Sequence, residues 1–244
     1  MNKFTSYVSI KGIPFINITQ QQLLKNHLYP ALDNKGKNFV VTANPEIVMA
    51  AESDLEYKYI LQQEADYVVA DGIGIIIASK IIKKPLPERI PGYDLMLELL
   101  DYGNDKKLKC YLLGATDQVA ERAADNIKKA YPELDVCGYH HGYFDDDDKT
   151  ILEEIKSAAP DLIFVALGFP RQEKWIFKAI KQLDHGLMMG VGGSLDVWAG
   201  EMKRAPKIWQ RLNLEWLYRL IKRPSRWKRM LQLPRFLWHI IRKK

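Results

Sequence analysis

The residue types best suited to proton transfer and anion binding follow apolar runs that read as strands. Asp71 stands directly after Tyr67–Ala70 and leads into Gly72-Ile73-Gly74. A carboxylate held at a strand end can take a proton from a hydroxyl, and the glycines let a ligand approach the backbone closely. The same residue is equally suited to capping the next helix. Thr42 and Asn44, in Thr42-Ala43-Asn44-Pro45-Glu46, either hydrogen-bond a substrate or cap a helix. Arg89, in the loop Glu88-Arg89-Ile90-Pro91-Gly92-Tyr93-Asp94, pairs with a phosphate or an acidic sugar, or is a plain surface arginine. Arg171, Gln172 and Lys174 open a polar helix start after Ala166-Leu167-Gly168 and suit a diphosphate or a sugar hydroxyl. Gly192 and Gly193 lie in Gly190-Val191-Gly192-Gly193-Ser194, where free N–H groups and a helix dipole would favour an anion. This turn is the best local diphosphate candidate; the alternative is a tight turn with no ligand.

Other chemistries lack their residues. Gly72-Ile73-Gly74 is not a dinucleotide fingerprint, because Ile77 occupies the place of the third glycine. No Walker loop and no Gly-x-Ser-x-Gly elbow occurs. His140 and His141 are adjacent without a third spaced ligand, which argues against zinc. Asp145–Asp148 reads as a solvated, acidic helix start rather than a metal site. No metal ligand and no cofactor is therefore expected.

Positioning such strand-end groups takes an α/β framework. Strands are expected at Phe39–Thr42, Tyr67–Ala70, Cys110–Leu113, Leu134–Gly138, Leu162–Leu167 and Leu187–Val191, after a hairpin around Lys11-Gly12. Helical patterns fall between them at Glu46–Glu52, Leu55–Gln63, Ile75–Lys83, Tyr93–Leu100, Gln118–Ala130, Lys149–Ser157 and Gln172–Lys181. The alternation predicts a Rossmann-like, mostly parallel sheet with helices on both faces. Ligands then bind beyond the carboxyl ends of the strands, where the residues above cluster.

Charge divides the 244-residue chain unequally. Its net charge of +6 combines −6 over residues 1–200 with +12 over residues 201–244, whose acids are Glu201 and Glu215. The same final segment holds Trp209, Trp216, Trp227 and Trp238. Two units are expected: an α/β catalytic domain over residues 1–200 and a basic, Trp-rich helical appendage over 201–244. Apolar and basic residues interleave there at helical spacing, which favours an anionic membrane surface over a face merely packed on the body. Nucleic acid is not expected, since no recognised motif accompanies the charge. All strands lie upstream of Gly200, so a chain cut there is expected to fold. Two cysteines, no secretory leader and no spanning apolar run point to a cytoplasmic protein, peripheral on the inner leaflet.

In combination these segments resemble the WecG/TagA/CpsF glycosyltransferases. The resemblance rests on Thr-Ala-Asn-Pro-Glu (42–46), Ala-Asp-Gly-Ile-Gly (70–74), Arg-Ile-Pro-Gly-Tyr-Asp (89–94), Leu-Leu-Gly-Ala-Thr (112–116) and Gly-Tyr-His-His-Gly-Tyr-Phe (138–144). It continues through Gly-Phe-Pro-Arg-Gln-Glu-Lys (168–174), Gly-Val-Gly-Gly-Ser-Leu-Asp-Val-Trp-Ala-Gly (190–200) and Arg-Ala-Pro (204–206). It implies transfer, with inversion, of N-acetylmannosamine from UDP-N-acetylmannosamine to undecaprenyl-diphosphate-linked N-acetylglucosamine. The product is the disaccharide lipid on which wall teichoic acid is built. By the same resemblance Asp71 is the catalytic base, and Thr42, Asn44, Arg89 and Gln172 are further active-site positions. Arg219, Arg226 and Arg229 match appendage arginines that close over the diphosphate. The reaction is expected to need no metal, and association with a second copy is compatible with the sequence. The nearest rival transfers N-acetylmannosaminuronic acid or another hexose on the same fold. An NAD-dependent oxidoreductase lacks the fingerprint, and a non-enzymatic lipid- or nucleic-acid-binding protein leaves Asp71 idle.

Overall fold

The computed structural model describes residues 6–145, 148–212, 214–222 and 232–242. The chain opens with an antiparallel hairpin, β1 (Tyr7–Ile10) and β2 (Ile13–Ile16), in the register Ile10 opposite Ile13. Its two-residue loop puts both Lys11 and Gly12 at positive φ, the requirement of a type I′ turn.

Six strands then form one parallel sheet: β3 (Lys37–Ala43), β4 (Tyr67–Ala70), β5 (Lys109–Gly114), β6 (Asp135–His140), β7 (Leu162–Ala166) and β8 (Gly186–Gly190). Their order is β4-β3-β8-β7-β5-β6. β3, β4, β7 and β8 are buried almost throughout, which is why they read as continuous apolar runs. One face of the sheet is covered by α3 (Pro45–Ser53), α4 (Leu55–Tyr59), α5 (Ile73–Ile81), α8 (Thr150–Ala158) and α9 (Arg171–Ile180). The other carries α1 (Gln20–Leu23), α2 (Tyr29–Asp33), α6 (Gly92–Lys106), α7 (Asp117–Ala130) and α10 (Ser194–Trp198). The expected Rossmann-like architecture is what the chain adopts.

Boundaries differ where pairing or capping overrides pattern. β6 runs on to His140, which pairs with Leu113; the one-residue register shift at Cys110/Tyr111 accounts for one of the two extra residues. α6 extends past Leu100 until Lys107 turns left-handed. The helical stretch from Gln20 to Asp33, with a π-helical turn at Leu24–Leu28, was not expected from periodicity. Its signal was the Thr19–Gln22 capping box, in which each side chain serves the other's backbone.

After Gly200 come α11 (Lys207–Arg211), α12 (Glu215–Lys222) and α13 (Gln232–Arg242). The compositional boundary at 200 is not a packing boundary. α13 lies on α3 and α5, with Phe236 and Ile240 inside the same core cluster as the sheet's first face. Leu233 and Pro45 close over Gly74, which has no side chain to hold them off. A cut after Gly200 would expose this apolar seam, so the expectation of an intact truncated body does not follow from where the strands lie.

Candidate active site

Parallel pairing brings the strand-end residues together. Thr42 on β3 pairs with Val69 on β4, and Ala43 with Ala70, so Asn44 and Asp71 leave the sheet side by side. The Asp71 N–H donates to the Ala43 carbonyl at 2.9 Å, which fixes where the carboxylate starts. The loop carrying Arg89 is tied to the same place: the Ile90 N–H donates to the Ala70 carbonyl at 2.9 Å. α6 begins at Gly92, packed flat against Thr42. β8 lies on the other side of β3, and its end delivers Val191, Gly192 and Gly193 to the same rim. Asp71, Thr42, Asn44, Arg89, Gly192 and Gly193 thus share one edge of three adjacent strands.

Several of these groups already have structural partners. Thr42 Oγ1 donates to the Gly190 carbonyl at 3.1 Å, bridging β3 and β8. Asn44 caps α3, its Oδ1 accepting from the Ile47 N–H at 3.1 Å, so the capping reading holds for it. Thr42 does not cap. Gln172 is buried beneath the glycine turn, where its Oε1 accepts from the Gly192 N–H at 3.3 Å. The two cations beside it have other tasks. Arg171 donates to the Gly142 carbonyl at 2.5 Å and the Phe144 carbonyl at 2.6 Å, holding the loop after β6. Lys174 pairs with Asp54 and Glu56 on the far side of α9.

Arg89 is where the tail meets the body. Its Nη2 lies 2.9 Å from Glu215 Oε2 in α12, with both side chains mostly buried. Arg204 stacks over Tyr93 at 4.9 Å, pairs with Asp94, and reaches to 3.8 Å from Glu215 Oε1. Composition alone passed over Glu215 and Arg204. The available signals were that Glu215 is one of only two acids after residue 200 and that Arg204 opens the Arg-Ala-Pro motif. Arg219 falls within α12; Arg226 and Arg229 lie outside the described residues.

Beside Arg89 a groove of about 670 Å³ opens between Gln20, Glu88 and Pro91 and runs along α6 past Asp94 and Glu98 to Asp101. Its carboxylates repel a diphosphate but can accept from hydroxyls. Among the described residues no group of three or more His, Cys, Asp or Glu side chains could hold a metal ion. The His140 and His141 rings lie 4.4 Å apart, tilted by 52°, and the His140 ring contacts the His141 carbonyl. Asp146 and Asp147 lie outside the described residues.

The edge therefore offers one carboxylate for proton transfer, N–H and arginine donors for an anion, and small polar groups for a sugar. The profile of the glycosyl transferase WecG/TagA/CpsF family matches residues 8–244. A Staphylococcus aureus (strain MW2) protein named N-acetylglucosaminyldiphosphoundecaprenol N-acetyl-beta-D-mannosaminyltransferase is 43% identical over 241 residues, covering 98% of this chain and 94% of its own. The proteins of that name from strains NCTC 8325 / PS 47 and MRSA252 are 43% and 42% identical over the same span. The resemblance read from the motifs is borne out over nearly the whole chain.

Proposed function

The chain belongs to the WecG/TagA/CpsF glycosyl transferase family, and on that premise we propose that it moves N-acetylmannosamine from its UDP donor to N-acetylglucosaminyldiphosphoundecaprenol. It is a glycosyltransferase, and the acceptor is the one that its relatives' name states. The carrying observation is the meeting of Asp71, Arg89 and the Gly192-Gly193 turn at the ends of β4, β3 and β8.

The proposed chemistry is a single displacement. Asp71 takes the proton of the acceptor hydroxyl as its oxygen attacks the anomeric carbon opposite UDP. The new C–O bond forms while the bond to UDP breaks, and the electron pair leaves on the diphosphate, inverting the anomeric centre. Fixed donors aimed at the departing charge lower the barrier; Arg89 and the Gly193 N–H are the candidates within the body, the Gly192 N–H being given to Gln172 Oε1. Arg219, Arg226 and Arg229 are proposed to add to them from the appendage. Thr42 and Asn44 line the same edge.

Incubation with a panel of UDP-sugars and a lipid-diphosphate N-acetylglucosamine analogue tests this reading. UDP-N-acetylmannosamine should give a disaccharide product by mass. Preference for the uronic acid or another hexose would replace the donor. In the same assay EDTA should leave turnover unchanged, because arginines and N–H donors neutralise the leaving UDP. Loss on chelation, restored by magnesium or manganese, would show that a divalent ion does so instead.

Arg89 must exchange Glu215 for the diphosphate. Glu215→Gln removes the competing charge and should lower the donor KM. A raised donor KM would mean that Glu215 holds Arg89 in its working position.

Membrane attachment is proposed through the described part of the appendage. Ile208, Leu212, Ile221, Trp238 and Ile241 are exposed, with Lys207, Arg211, Arg235 and Arg242 among them. Apolar residues rimmed by cations suit an anionic leaflet, the basic groups contributing about 1 kcal/mol each. No helix among the described residues is long and apolar enough to cross a membrane.

A further inference from the structure

One fully buried acid remains without a task in that mechanism. Glu173 in α9 has no solvent exposure, and its two oxygens meet two donors. Gln172 Nε2 donates to Oε1 at 2.7 Å, and the Tyr57 hydroxyl, from α4, donates to Oε2 at 3.0 Å. Burial pushes the Glu173 carboxyl above its usual range, although both hydrogen bonds pull it back. A carboxyl kept in an apolar core against such a cost calls for a use.

Its neighbours supply one. The Gln172 amide can stand in only one sense: the carboxylate demands the NH2 group, which leaves the carbonyl oxygen for the Gly192 N–H. Turned over, the amide would place oxygen against oxygen and nitrogen against N–H, losing both bonds inside the core. The dyad also presses on the strand end, since a Cβ at Gly190 would stand 2.6 Å from Gln172 Nε2 and 3.1 Å from Glu173 Oε1. Gly190 in turn accepts from Thr42. A continuous buried chain therefore runs from Tyr57 through Glu173 and Gln172 to the backbone of the 190–193 turn.

We propose that Glu173 and Tyr57 are positioning residues that fix the orientation of the Gln172 amide and, through it, the shape of the Gly192-Gly193 turn that receives the donor's diphosphate. The last clause rests on the proposed function. The first does not, and the two separate experimentally. Neither residue touches substrate; they act on donor affinity and leave the acceptor side alone. With the Gly192 N–H given to Gln172, the turn is held before an anion arrives and the neighbouring Gly193 N–H keeps its direction; a network in which every member is satisfied holds it so.

Glu173→Gln and Glu173→Leu divide the possibilities. Glutamine can offer its oxygen to Gln172 and its NH2 to a Tyr57 hydroxyl turned to accept, so this variant should bind UDP within about twofold of the parent. Leucine fills the space but accepts nothing, leaving the Gln172 NH2 bare; UDP should bind about tenfold or more weakly. The acceptor KM should be unchanged in both. Adding Tyr57→Phe to Glu173→Gln strands the new NH2, so the double variant should lose more affinity than the two single losses combined. Hydrogen exchange at the Gly192 amide is the readout independent of ligand, and it should quicken in Glu173→Leu and in the double variant. Unchanged exchange in both, or strictly additive single effects, would overturn the relay. Quickened exchange with unaltered UDP affinity would support the relay and overturn the placement of the diphosphate on this turn. Should Glu173→Leu fail to fold, the Glu173→Gln, Tyr57→Phe and double variants carry the test.

Discussion

Replacing Asp71 by asparagine should lower turnover by about 100-fold or more, the scale on which a lost general base is felt, while the protein stays folded. Asparagine matches the carboxylate in size and keeps the backbone bond from the Asp71 N–H to the Ala43 carbonyl, so the ends of β3 and β4 are not disturbed. What it cannot do is take a proton. Donor binding, measured by calorimetry with UDP, should be nearly unchanged, because the diphosphate is proposed to lie against Arg89 and the glycine turn. A fall in kcat with an unaltered UDP Kd is therefore the expected signature. Turnover like that of the parent in folded Asp71→Asn protein would remove Asp71 from proton transfer. Equal loss of binding and turnover would make it a ligand-holding residue.

Phe236→Ala should destabilise the fold by about 3–5 kcal/mol, the usual cost of emptying a buried aromatic site, and lower Tm by roughly 6–20 °C in a chain of this size. The expectation comes from α13, whose Phe236 and Ile240 sit in one core cluster with residues of α3, α5 and the sheet. Trp238, two positions on, is 49% exposed, with the Arg242 guanidinium 4.4 Å and the His239 ring 5.4 Å from its ring. Trp238→Ala should leave Tm within a few degrees and weaken liposome binding instead. The pair separates the two faces of one helix. A Tm shift of less than about 2 °C for Phe236→Ala would mean that α13 is not part of the body's core. Unchanged liposome binding by Trp238→Ala would remove that face from the membrane reading.

Much of the site was legible because parallel α/β sheets put ligands at strand ends, and strand ends can be found from where apolar runs stop. Asp71, Asn44 and Thr42 were placed on that edge in this way, and the hairpin followed from the short β-rich stretches around Lys11-Gly12. Two matters needed the third dimension. Whether a polar strand-end group is spoken for depends on partners far away in the chain: Arg171 and Lys174 look like ligand cations beside Gln172, yet one holds loop carbonyls and the other Asp54 and Glu56 at the start of α4. Tyr57 and Glu173, 116 positions apart, form a buried hydrogen bond that no local spacing announces.

The tail divides the same way. Its composition determined that it is basic, aromatic and helical at intervals, because those properties are sums and periods along the chain. Which of two apolar faces on α13 enters the core is decided by the seam that α3 and α5 leave open, and that seam exists only once residues about 150 to 200 positions earlier have folded. Likewise Glu215 reads as a stray acid in a cationic segment until folding sets it 2.9 Å from Arg89. Short-range pattern thus determined the elements and the chemical types at their ends. The tertiary structure decided which of those groups are held, and by what, because hydrogen bonds and ion pairs act over a few ångströms of space without regard to separation in sequence.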